Sequence, residues 1–174
     1  QHLTLSILVP PLLVLGAPGT LLLRATPHRG AGRVVLQGAL GALRSRGARV
    51  LLHPGLTVPL FLFSYYGLYL SSAFDLIAGS WMGHVALEAF FLFSGILFIV
   101  PILSPDPLPT RQSNLGRFFD IFVEMPLHVF IGVVLMIAPR ALTTTFANPP
   151  ASWGVDPVAD QSVAGALAWS FGEP

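Results

Sequence analysis

HVALEAFFLFSGILFIVPIL, residues 84–103, contains one formal charge, Glu88, and one histidine, His84, in a run that is otherwise apolar or small. As a helix rising 1.5 Å per residue it would be ~30 Å long, the hydrocarbon thickness of a bilayer. The whole chain has the same character: 53% of its residues are hydrophobic, 10% are charged, and the mean hydropathy is +0.73. A soluble domain carries about a quarter of its residues as charges. The solvent of this chain is therefore lipid. Its apolar runs are continuous instead of alternating and about twice the length of a barrel strand, which argues against a β-barrel.

The expected fold is all-α, a polytopic transmembrane helical bundle forming one membrane-embedded domain over residues 1–174. About five spans are expected, near 3–23, 54–74, 81–103, 118–139 and 158–174. Pro10, Pro11 and Pro18 fall inside the first span and predict a kinked helix, a feature that transmembrane helices tolerate when neighbours re-satisfy the freed carbonyls. The stretch 24–53 differs in kind, with Arg24, Arg29, Arg33, Arg44, Arg46 and Arg49 and no acid. Within it, residues 33–46 predict a short amphipathic helix lying on anionic lipid headgroups. Arg111 and Arg117 follow on the same side of the predicted topology, against Arg140 alone on the other. The Arg-rich loops are therefore expected on the cytoplasmic side of the membrane. The 140–157 loop holds Asn148-Pro149-Pro150 and Asp156-Pro157 and reads as turn-rich.

The absence of cysteine excludes disulfides, thiolate metal sites, haem attachment motifs and cysteine nucleophiles. No phosphate-binding glycine loop or nucleophile elbow is present. The reading is a non-enzymatic membrane protein, with membrane lipids among its partners and no nucleic acid.

The topology sorts the ionisable residues by depth. His2, His84, Glu88 and Asp160 fall in the outer third of three different spans, and His84 and Glu88 share one helix face ~40° apart. His128 lies near the middle of span four, with Glu124 and Asp120 on its cytoplasmic half. Ionisable groups at membrane depth cost a few kcal/mol each and usually mark a function. Ordinary readings stand beside that one. His84 also suits a residue at the headgroup layer, and His128 suits an interhelical hydrogen bond. Glu88 reads as a protonated acid or as the partner that fixes a histidine tautomer. Asp106 in SPDPLP reads as a turn-former, and His28 and His53 as loop residues. Neutral imidazoles with acidic neighbours form a ligand set for copper or zinc, and the spacing alone leaves both open. Axial haem ligation by His84 and His128 is disfavoured by their predicted depths, which differ by roughly 10 Å.

Five segments together resemble the CtaG-type cytochrome c oxidase assembly proteins: QHLTLSILVPPLLVLGAP at 1–18, His53-Pro54, HVALEAFFLFSGILFIVPILSPDPLP at 84–109, MPLHVFIG at 125–132, and DQSVAGALAWSFGEP at 160–174. They occur in the family's order and cover nearly the whole chain. The resemblance implies the carboxyl-terminal portion of a seven-span membrane protein and a role in maturing an oxidase, with copper as the ion and cytochrome c oxidase subunits or a respiratory supercomplex as partners. It implies a metal site near the outer face from His2, His84 and His128, with Glu88 and Asp160 as ligands or supporting groups. Two departures from the family pattern matter. The histidine expected four residues ahead of His2 falls before residue 1, and Glu88 stands where many relatives carry histidine. A different class of reading is a structural accessory subunit without metal, using Gly132, Gly165 and Gly172 for close helix contacts. A proton- or ion-conducting protein is the third reading, weakened because no ladder of acids crosses the membrane.

Overall fold

The computed structural model describes residues 1–109 and 111–171, and among these every regular element is helical. In chain order they are a π-helical turn Thr4–Leu8 leading into α1 (Val9–Leu15), α2 (Pro18–Ala25), α3 (Ala31–Arg44), α4 (Arg46–Leu51), α5 (Pro54–Tyr69), α6 (Ala73–Ala78), α7 (Trp81–Leu103) and α8 (Asn114–Ile137). Two single 3-10 turns, Thr144–Phe146 and Ala151–Trp153, precede α9 (Pro157–Phe171).

Among the described residues, three stretches are long and apolar enough to cross a bilayer: Thr4–Ala25, α7 and α8. The expected second and fifth spans are shorter. Helix α5 has 16 residues and ends at Tyr69 instead of continuing to 74, and α9 has 15, against the ~20 that a full crossing takes. Residues 172–174 of the expected fifth span, including Gly172, lie outside the described residues.

The expected kink in the first span is present in two parts. Pro10 and Pro11 have no N–H to bond back to the carbonyls of Ser6 and Ile7, and the turn just before them widens to π geometry. The helix then breaks at Gly16-Ala17, where Ala17 takes a left-handed φ of 49° and Pro18 starts α2. Asp106, in the loop after α7, does more than form a turn. Its carboxylate accepts from Gly19 N at 2.8 Å, Thr20 N at 2.7 Å and the Thr20 hydroxyl at 2.6 Å, and so caps the start of α2 from across the bundle.

The amphipathic helix expected at 33–46 is α3, and it ends where Ser45 caps α4 through Ala48 N. Only Leu36 of α3 is buried, and its arginines face outward. His53 caps α5 by accepting from Gly55 N at 3.0 Å, so its role is local. Ser80 and Ser113 cap α7 and α8 in the same manner.

Helix α7 sits at the centre. It packs against α5, α6 and the first span, and α8 packs against α5 and α9. The core they share is aromatic: Phe61, Tyr65, Phe74, Phe91 and Phe98 with Leu68, Leu87, Ile102 and Ile131. In lipid, burial of apolar surface does not drive helices together, so close packing must. Glycines allow that approach at two crossings. A Cβ on Gly95 would lie 2.2 Å from the Ser6 carbonyl oxygen of the first span, and one on Gly132 would lie 2.7 Å from Trp169 N and 2.9 Å from the Gly165 carbonyl. Gly132 and Gly165 therefore serve the α8–α9 crossing inside this chain.

Candidate functional site

The amino ends of the first span, α7 and α9 meet at one end of the bundle, together with the carboxyl ends of α5 and α8. They enclose a cavity of about 330 Å³ bordered by His2, His84, Tyr65, Tyr69, Asp160 and Gln161. Three of the five residues expected to bind metal thus come together from three separate helices.

His2 is the most constrained of them. Its ring stacks on Phe91 with centroids 4.2 Å apart and planes 11° from parallel, and it meets Phe74 edge-on. Its Nδ1 is hydrogen-bonded to the Tyr69 hydroxyl at 2.6 Å, while the buried Nε2 has no hydrogen-bond partner among the described residues. The hydrogen bond at Nδ1 governs which tautomer Nε2 presents. The His84 ring lies 6.4 Å from the His2 ring, centroid to centroid, and its Nε2 is 3.5 Å from the Glu88 carboxylate. His84 and Glu88 are both partly exposed, at 41% and 32%, so their pairing is weak in itself and chiefly orients the imidazole. Glu88 does not border the cavity. Asp160 does, from the exposed first turn of α9.

His128 stands elsewhere. It is buried in the core with its ring edge-on to Tyr65, centroids 4.7 Å apart, and its Nδ1 lies 3.7 Å from the Glu124 carboxylate one turn earlier on α8. It does not border the cavity of His2 and His84. Among the described residues, no three of His, Asp and Glu are gathered closely enough to hold an ion on their own. The other acid of α8, Asp120, is buried and accepts from Gln112 Nε2 at 2.9 Å.

Loop residues form one wall of the cavity. Leu142, Thr143 and Phe146 border it, and the segment is pinned twice. Gln161 accepts from Leu142 N at 2.7 Å and donates to the Leu135 and Arg140 carbonyls. Asp75 of α6 accepts from Thr144 N and Thr145 N, both at 2.9 Å, and from the Thr145 hydroxyl at 2.8 Å. Desolvation opposes ionisation of Asp75, but these donors outweigh it and hold its carboxyl at about 2, below the usual 3.8. Asp106 is held below the usual range in the same way, by the Thr20 hydroxyl and the Gly19 and Thr20 N–H groups acting against desolvation.

Sequence reasoning did not single out Tyr69, Phe91, Asp75 or Gln161. Tyr69 closes an aromatic helix end, a common interfacial pattern that carries no sign of a histidine partner 67 residues away. Asp75 was readable only as one acid in a short loop.

The sequence model of the cytochrome c oxidase caa3 assembly factor family (Caa3_CtaG) matches residues 1–174. Proteins described as uncharacterized are similar to this chain over 178 residues: one from Mycobacterium bovis at 37% identity, one from Mycobacterium tuberculosis at 37% and one from Mycobacterium leprae at 35%. Each alignment covers 99% of this chain but 27% of the relative, so the chain spans about a quarter of the length of the curated relatives it matches. No solved structure matches it. The chain belongs to the cytochrome c oxidase caa3 assembly factor family.

Proposed function

We propose that this membrane protein assists the maturation of a cytochrome c oxidase by taking up copper(I) as cargo between His2 and His84 and passing it to an oxidase subunit. The spacing of the two imidazoles supports this reading most directly. A metal–nitrogen bond of ~2.0 Å, added to the distance from a ring nitrogen to its centroid, puts two rings that share one ion in line ~6 Å apart, and the observed separation is 6.4 Å. Two nitrogens in line suit copper(I), whereas zinc asks for four ligands in a tetrahedron. The unpaired Nε2 of His2 is the kind of donor such an ion needs, with Tyr69 as the supporting hydrogen bond.

In this reading Asp160 borders the ion and Glu88 orients His84. All five expected spans cross the membrane, the bilayer thinning locally to meet the short helices α5 and α9. The Arg-rich segments face the cytoplasm, and the cavity opens toward the outer side, where an oxidase copper centre would receive the ion. No chemical transformation is required of the chain, and its partners are oxidase subunits.

Anaerobic copper(I) titration of the purified protein tests the reading. His2→Ala and His84→Ala together should abolish one binding event, and unchanged stoichiometry and affinity in that double variant would overturn it. The alternative of a metal-free accessory subunit loses one support, because Gly132 and Gly165 are already used in the α8–α9 crossing.

A further inference from the structure

A second cavity, of about 540 Å³, lies alongside the first span, α7 and α8. Its walls are apolar apart from Ser6, Ser170 and one carboxylate, Glu124, with Met125 beside it. On α8, residues 124, 125 and 128 fall within a ~100° arc, so Glu124, Met125 and His128 share one helix face. His128 stands just behind this wall, 1% exposed, with its Nδ1 3.7 Å from Glu124 and the Ala168 backbone as the other polar neighbour of its ring, so that neither ring nitrogen makes a full hydrogen bond among the described residues. Buried polar side-chain atoms normally find a partner, and a carboxylate at membrane depth normally finds a counter-charge. One ligand would answer both demands. A monovalent soft cation neutralises the carboxylate, binds an imidazole lone pair, and accepts a thioether as a third donor.

The two cavities are separated by little. Ser6 borders the deeper one, Tyr65 borders the one at His2 and His84, and the two hydroxyls are hydrogen-bonded to each other. Tyr65 also holds the His128 ring edge-on. We propose that Glu124, Met125 and His128 form a second copper(I) station, reached from His2 and His84 across the Ser6–Tyr65 hydrogen bond. This inference rests on the reading of the first cavity as the copper-accepting one. A proton shared between Glu124 and His128 would also explain their pairing without any ion, and the experiment separates the two.

The test is anaerobic equilibration of the purified protein with copper(I), followed by elemental analysis and copper X-ray absorption. Two ions per chain are expected, falling to one in His2→Ala/His84→Ala and to one in Glu124→Gln/His128→Gln. The chain has no Cys and only Met82, Met125 and Met136, so a copper–sulfur signal is expected that disappears in Met125→Leu, an almost isosteric change, with a roughly tenfold loss of affinity for the second ion. A single ion lost with the His2 and His84 variant, and no sulfur signal, would overturn the deep station, leave the first cavity standing and favour the shared proton. No bound copper at all would overturn both. Should the Glu124 and His128 double variant fail to fold, Met125→Leu decides alone, since an unchanged sulfur signal and affinity would overturn the proposal.

Discussion

The Tyr69 hydroxyl, at the end of α5, lies 2.6 Å from Nδ1 of His2, at the start of the first span, and this contact orients an imidazole that Phe91 already holds flat. It gives the cavity a fixed donor instead of a mobile one. Tyr69→Phe keeps the ring and removes only that hydrogen bond. Copper(I) affinity is expected to fall about tenfold with stoichiometry unchanged, the usual effect of losing a partner behind a metal-binding histidine. A titration showing equal affinity would mean that Phe91 stacking alone positions His2.

The Asp75 latch gives a pH dependence of definite sign. Its carboxyl is at about 2 in the folded protein against 3.8 ordinarily, so the stability it adds to the 140–146 segment is present above pH ~4 and is lost as pH falls toward 2. Pepsin, which works in this range, should cut that segment faster as pH drops, relative to Asp75→Asn, which should be cut readily throughout. Parallel cleavage profiles for the two proteins would contradict the latch.

Helix α2 starts on a borrowed cap. Asp106→Ala removes the acceptor for Gly19 N, Thr20 N and the Thr20 hydroxyl, at an expected cost of about 1 kcal/mol, as for loss of an N-cap side chain. Asp106→Asn should recover part of it, because an amide oxygen still accepts. Thermal unfolding of the three proteins in one detergent would rank them wild type, Asn, Ala.

The crossing of α7 with the first span is predicted to be intolerant of a methyl group. Gly95→Ala would place a Cβ 2.2 Å from the Ser6 carbonyl oxygen, and backbone cannot yield as a side-chain tip does, so a loss of roughly 1–3 kcal/mol is expected. Gly38→Ala, in the open on α3 with nothing within 4 Å of the added carbon, should be neutral or stabilising by up to about 1 kcal/mol. Melting temperatures of this pair test whether close approach, and not loss of glycine as such, is what matters.

Gly132 makes a third case, with a spectroscopic readout. Gly132→Leu should push α9 away from α8 and carry Asp160 out of the cavity, while His2 and Tyr69 remain in place. Emission from Trp169, isolated by Trp81→Phe and Trp153→Phe, should shift as its backbone is pushed off Gly132 and the surroundings of its half-exposed ring change. An unshifted spectrum would show that α9 docks without this crossing.

Much of this organisation is legible along the chain. The mostly apolar run at 84–103 implies a helix long enough for a bilayer, and it is one, because length and hydropathy are local properties. Ser45, Ser80 and Ser113 mark helix starts for the same reason, since each cap joins groups three residues apart. Bounds are less legible where the signal stays apolar beyond the helix. The expected second span runs on past Ser71 and Ser72 to Phe74, yet α5 stops at Tyr69 and α6 turns away, with Ser71 Oγ accepting from Ala73 N at 3.2 Å and Phe74 stacked back on Tyr69 in the core.

From the residues in order come the all-helical class, the apolar lengths, the Arg-rich segment and the shortlist of ionisable groups at depth. Which members of that shortlist meet is a matter of distances between helices, and these depend on glycines and aromatic rings at crossings that no periodicity reveals. His2, His84 and Asp160 share a cavity because Gly95 lets the first span close on α7 and because Gly132 and Gly165 let α9 close on α8. His128 is parted from them by Tyr65 and paired with Glu124 by the helical repeat, so one expected site becomes two places in the bundle.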